Sequence, residues 1–220
     1  MTPRDIDEVF ARAAASEHRV DPAVLQRIRG PLQSSFAPVK PLARPSVYIA
    51  GFLGAFALIA VSLAGVLGLA GFHALTTTDR VVIFALLGVS AWASASAIAG
   101  EMTPQGRRTI GGWTLAITAL ALIAVFGVLF RNTGFQGFVL QGIPCLRAGL
   151  VTAIPEALLV FLIARRGFSR SPVAIGTLAG LTGVTMLELH CPNLNMSHVM
   201  VWHVGVLVVA GVAGWLIKRL

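Results

Sequence analysis

From Ser46 to Ile217 the sequence is a succession of long apolar runs joined by short polar connections, and this pattern constrains the fold more than any motif does. Six windows are long and apolar enough to cross a bilayer core of about 30 Å as helices of roughly 20 residues. They run approximately Ser46–Ala70, Asp79–Gly100, Thr109–Phe130, Ala148–Ala164, Pro172–Leu189 and Val199–Ile217. The fourth and fifth are the shortest, one containing Pro155 and the other starting at Pro172, so their ends are the least sharply drawn. The chain is 56% hydrophobic and 12% charged, which is outside the soluble range. The expectation is an all-α polytopic membrane protein: a bundle of about six transmembrane helices over 46–220, preceded by a short cytoplasmic helical arm and Pro-rich linker over 1–45.

The first apolar run is already of spanning length and follows charged, amphipathic sequence, so it reads as a retained anchor rather than a cleaved leader. Of the 17 Lys and Arg residues, only Arg80, Arg131 and Arg147 flank the ends that alternation assigns to one side. The rest, including Arg44, Arg107, Arg108, Arg165, Arg166, Lys218 and Arg219, flank the other. Basic flanks stay in the cytoplasm, which predicts that both termini are cytoplasmic. This asymmetry accounts for the net charge of +8. No direct nucleic-acid partner is expected, because the basic residues are not interleaved with aromatics in one soluble patch.

The arm reads as two short helices and a tether. TPRDIDEVFARAAA opens with Thr2 and Pro3 in capping positions, and Ile6, Val9 and Phe10 then recur at helical spacing. In DPAVLQRIRG, Asp21 caps, Pro22 starts and Gly30 stops a second helix whose Val24, Leu25 and Ile28 share a face. PLQSSFAPVKPLARP, with four prolines, is expected to be extended and mobile. So short a segment cannot bury its own stripes. They can lie on the inner membrane face or dock on a cytoplasmic protein as a helix in a groove. Asp5, Asp7, Glu8 and Glu17 argue against an anionic lipid surface.

Within the spans, Gly65 and Gly68, Gly176 and Gly180, and Gly211 and Gly214 are small-residue signals for close helix packing. Two acids fall at membrane depth, Glu156 and Glu188, both expected toward the outer half. Such groups usually face a cavity or a partner. They suit either a structural role near the interface or part of a sensing or proton-carrying site.

Chemistry-bearing residues concentrate in LELHCPNLNMSHVMVWHVG, Leu187 to Gly205. Alternation puts Cys191 on the non-cytoplasmic side, together with Cys145 in a loop QGIPCLRAG, and with His73, His190 and His198, His203 lying further into the sixth helix. Three readings of the thiols stand: a structural disulfide, a reversible thiol or metal switch, and two unrelated cysteines. Cys145, Cys191, His190 and His198 are the candidate ligands for a transient soft metal ion of the zinc or cadmium type; no obligatory cofactor is expected. His198 and His203 are five residues apart, about 140° around an ideal helix, which argues against both binding one ion from a regular helix. Pro144 and Pro192 beside the thiols stiffen their connections, and Trp202 reads as an interfacial anchor.

With its short cytoplasmic N-terminal segment, six spans, Pro144–Cys145 before the fourth span and HCPNLNMSHVMVWH over 190–203, the chain resembles the NrsF-type membrane anti-sigma factors, bacterial negative regulators of an extracytoplasmic-function (ECF) sigma factor. The resemblance covers most of the chain in architecture, and the 190–203 pattern is its specific part. It implies an inner-membrane protein whose cytoplasmic part holds a sigma factor inactive, with Cys145 and Cys191 required for the response to heavy metals or related redox stress. Ile6, Val9, Phe10, Val24, Leu25 and Ile28 are then the candidate sigma-binding positions, matched by character rather than by motif. No catalytic residue and no enzymatic activity are expected. The competing class is a membrane thiol oxidoreductase or metal transporter using the same Cys/His cluster, against which stand the lack of a CxxC motif and the scarcity of intramembrane polar groups. Oligomeric state is not legible in the sequence.

Overall fold

The computed structural model describes residues 8, 22–35, 43–102, 112–130, 137–167 and 171–217. The chain divides into two units, Met1–Pro41 and Leu42–Leu220. In the first, α1 runs Pro22–Ser35. Gly30 does not end it, contrary to expectation: Gly30 is absent from the glycines of positive φ, and a glycine terminates a helix through that left-handed conformation. Pro31 is consequently internal to the helix, and 31–35 of the expected extended linker are helical. Val24, Leu25 and Ile28 are exposed, whereas Ile6, Val9, Phe10 and Asp21 lie outside the described residues.

Every regular element described in the second unit is helical: α2 Pro45–Leu67, α3 Ala70–Ala74, α4 Thr77–Met102, α5 Gly112–Leu129, α6 Phe138–Ala164, α7 Pro172–His190 and α8 Met196–Ile217. Five of these, α2, α4, α6, α7 and α8, are long and apolar enough to cross a membrane. Their limits follow local chemistry. Pro45 and Pro172 occupy first-turn positions of α2 and α7, where the missing N–H costs nothing. Gly68, at φ 101°, closes α2 and returns its N–H to the Ala64 carbonyl. Ahead of α4, Thr76 Oγ1 accepts the Asp79 N–H at 3.2 Å and donates to the Asp79 carboxylate at 2.6 Å, satisfying an otherwise orphaned donor.

The centre of the bundle is α7, which packs against α2, α3, α4, α6 and α8. It is the least apolar of the five spans and the most enclosed, 78% of its spanning window being buried against 22% for α2. The two properties belong together, since a helix shielded from lipid can carry Thr182, Thr185 and Glu188 without exposing them to hydrocarbon. By contrast, α2 buries Phe52, Phe56, Ala60 and Ala64, one residue every fourth position, and turns Leu58, Val61 and Val66 outward.

Small residues set how closely the helices approach. A Cβ at Gly176 would strike the Ala210 carbonyl of α8, and one at Gly183 would strike the Gly149 carbonyl of α6. Gly180 and Gly214 are similarly hemmed in, while Gly65 and Gly211 face open space and have no such role. Most buried hydroxyls are satisfied within their own helix: Ser90 donates to Leu86 O, Ser94 to Ser90 O, Thr152 to Ala148 O and Thr182 to Leu178 O.

A Cys/His cluster as the candidate functional site

Two expectations about this region are corrected by the fold. The fourth span starts at Phe138 rather than Ala148, so Cys145 lies two turns inside a helix and not in a loop. Pro144 and Pro155 are both internal to α6. A membrane helix tolerates proline because neighbouring groups resatisfy the freed carbonyl, so Pro144, expected to stiffen a loop, lies within continuous helix instead. Glu156, expected toward the outer half, lies much nearer the Ala164 end of α6 than the Phe138 end.

Cys191 is set by its successor. A residue before proline is disfavoured in helical φ and ψ, and at Cys191, before Pro192, the backbone turns extended (φ −82°, ψ 116°) and α7 ends, its last bond running from Cys191 N–H to Leu187 O at 2.7 Å. The return loop is held by Asn193, whose Oδ1 accepts the Asn195 N–H at 3.1 Å and whose Nδ2 donates to Gln141 Oε1 of α6 at 3.1 Å. Beneath the turn, α3 fits against the end of α7 because Gly71 has no side chain: a Cβ there would stand 2.7 Å from the carbonyls of both Glu188 and Cys191.

These constraints bring Cys145 Sγ within 3.6 Å of Cys191 Sγ, and Cys191 Sγ within 3.5 Å of His198 Nε2. Both cysteines are free thiols. Contact with Cys145 and then burial hold the Cys191 thiol above its ordinary range, outweighing the opposing influence of His198 and His203. His203 completes the group: one ligand-capable atom each from Cys145, Cys191, His198 and His203 lie within 4.8 Å of one another. His203 Nδ1 donates to Glu188 Oε1 at 2.7 Å, both side chains being about 1% exposed, and its Nε2 is buried without a hydrogen-bond partner among the described residues.

Sequence spacing argued against this pairing of histidines. The reason it occurs is local: Val199–His203 is a π-helical turn, in which bonds run from i to i+5 and a fifth residue returns to nearly the same face. The two rings meet edge to face with centroids 5.2 Å apart. His190 takes no part in the cluster, its Nδ1 donating instead to the Gly68 carbonyl at 3.0 Å. His73 sits on α3, where its carbonyl accepts from Arg80 at 3.4 Å. Trp202 packs on Phe138, 5.2 Å between centroids, over Gly142.

Fold and site together define a helical protein with five helices long and apolar enough to cross a membrane and a largely buried, metal-competent Cys2His2 group at one end of its bundle. The chain belongs to the NrsF family: the family model, described as negative regulator of sigma F, matches residues 32–220. Neither the curated proteins nor the solved structures give a match.

Proposed function

We propose that the protein is a membrane anti-sigma factor that holds an ECF-type sigma factor inactive through its cytoplasmic side and releases it when the Cys145/Cys191 cluster responds to a soft metal or to thiol oxidation. The observation that carries this is the family match over most of the chain. It is supported by a thiol pair close enough to share one ion or one oxidant and by an apolar stripe, Val24, Leu25 and Ile28, left exposed on the arm. Ile6, Val9 and Phe10 extend the same proposed docking surface.

The proposal includes six crossings with both termini in the cytoplasm. Gly71 and Cys145 bring the beginnings of α4 and α6 to the Cys191 end, and Met102 packs beside Gly167 where both helices finish. The shared direction of α4 and α6 supports a recrossing between them. The 18 residues of α5 span about 27 Å, and Gly127, near its end, faces Met196. The Lys and Arg asymmetry then turns the cluster outward from the bacterial inner membrane.

The test is co-purification from native membranes in mild detergent, before and after a cadmium pulse. A sigma factor present before the pulse and depleted after it is the expected result. Its absence from both preparations would remove the anti-sigma reading.

A further inference from the structure

We infer that Cys145, Cys191, His198 and His203 form one closed four-coordinate metal centre, ligated by both thiolates and both Nε2 atoms, with Glu188 as the positioning residue that holds the His203 imidazole. It takes a borderline-to-soft divalent ion of the zinc or cadmium class. This deepens the sensor reading, on which it rests for its biological role and not for its chemistry.

The spacing of the donors is the first ground. An ion held tetrahedrally at about 2.3 Å from sulfur and about 2.0–2.1 Å from nitrogen requires sulfurs about 3.8 Å apart and sulfur–nitrogen pairs about 3.5 Å apart. The thiols stand at 3.6 Å and Cys191 Sγ to His198 Nε2 at 3.5 Å, and all four donors lie within 4.8 Å of one another. A disulfide would instead draw the sulfurs to about 2.05 Å.

The second ground is independent of spacing. His203 Nε2 is a buried polar atom with no hydrogen-bond partner among the described residues, a state that costs free energy unless something binds there. Glu188 suits this nitrogen to ligation: in the neutral imidazole, a carboxylate that accepts the Nδ1 proton at 2.7 Å selects the tautomer whose Nε2 lone pair is free to ligate. A carboxylate behind a ligating histidine is the usual support of a zinc site. Two sulfurs and two imidazoles favour zinc-like ions over the hard cations that oxygen donors select. His190, the nearest histidine in sequence to Cys191, is outside the set because its Nδ1 is committed to Gly68 O.

The experiment uses the full-length protein in detergent, reduced and titrated with Co2+ as spectroscopic probe and then with Zn2+ in competition. One equivalent of Co2+ per chain is expected, with tetrahedral ligand-field bands and thiolate charge transfer. Glu188→Gln should keep the band shape and weaken affinity about 10–100-fold, His203→Ala should lose the tetrahedral spectrum, and His190→Ala should titrate like wild type. Unaltered binding in His203→Ala, or loss of binding in His190→Ala, would overturn the assignment. Since a variant can fail to fold, wild-type protein is also alkylated with and without Zn2+: protection of both thiols is expected, and equal labelling overturns the site. Sigma-factor retention is measured on the same preparations. A chain that retains no sigma factor before metal is added but then binds metal strikes the anti-sigma reading alone; a chain that holds a sigma factor but binds no added metal strikes this centre alone.

Discussion

Glu156 is fully buried on α6, and neither carboxylate oxygen has a hydrogen-bond partner among the described residues. Leaving such a group unpaired costs about 1–3 kcal/mol, so apolar replacement should relieve the molecule. Glu156→Leu is predicted to raise the thermal midpoint in detergent by roughly 2–4 °C for each kcal/mol recovered; a lowered midpoint would mean the carboxyl has a stabilising partner. Glu188 is the opposite case. It is equally enclosed but bonded to His203, and breaking one half of a buried charge-assisted pair is strongly destabilising. Glu188→Leu should therefore lower the same midpoint. The two glutamates looked alike in the sequence, because membrane depth can be estimated from position in an apolar run but a partner on another helix cannot.

Within elements, two features are open to direct change. Gly183 lies where α6 and α7 cross, and a methyl group there would meet the Gly149 backbone and Val206. Gly183→Ala should cost about 1–3 kcal/mol through overpacking, whereas Gly54→Ala on α2, with open space around it, should leave the midpoint unchanged. The comparison is made by thermal scans of both variants, and equal effects would show that helix approach is not limited at this crossing. The π turn is the second feature. Val201 is exposed at 48%, and its deletion should convert Val199–His203 to regular α-helix, rotating His198 away from His203. The predicted outcome is a folded protein whose two thiols lose Zn2+ protection from alkylation; retained protection would mean the turn is not what pairs the histidines.

Across the whole molecule, the cluster draws its ligands from α6, the end of α7 and the start of α8, and α7 is the helix packed against most of the others. A ligand that draws these ends together acts on the centre of the bundle. To carry a two-state protein from 1:99 to 99:1 it must prefer one state by about 5.5 kcal/mol, within reach of a structural zinc site worth about 10–16 kcal/mol. Cys145→Ser and Cys191→Ser are expected to keep the sigma factor repressed under cadmium, and removal of the residues before Pro31 to release it constitutively, both read from a sigma-dependent reporter. Induction as in wild type by both serine variants would exclude the thiols as the switch. Hydropathy and length determined the helical class and the long apolar runs, and the residue pattern determined the candidate thiols Cys145 and Cys191 and the family likeness, because each is a property of local composition or pattern. Tertiary structure decided the rest: that Cys145 rides on a proline-tolerant helix, that His203 replaces His190 beside the thiols, that Glu188 stands behind it, and that Glu156 has no hydrogen-bond partner among the described residues. These depend on a π turn and on which residues meet across helices far apart in the chain, and neither leaves a periodic trace in the sequence.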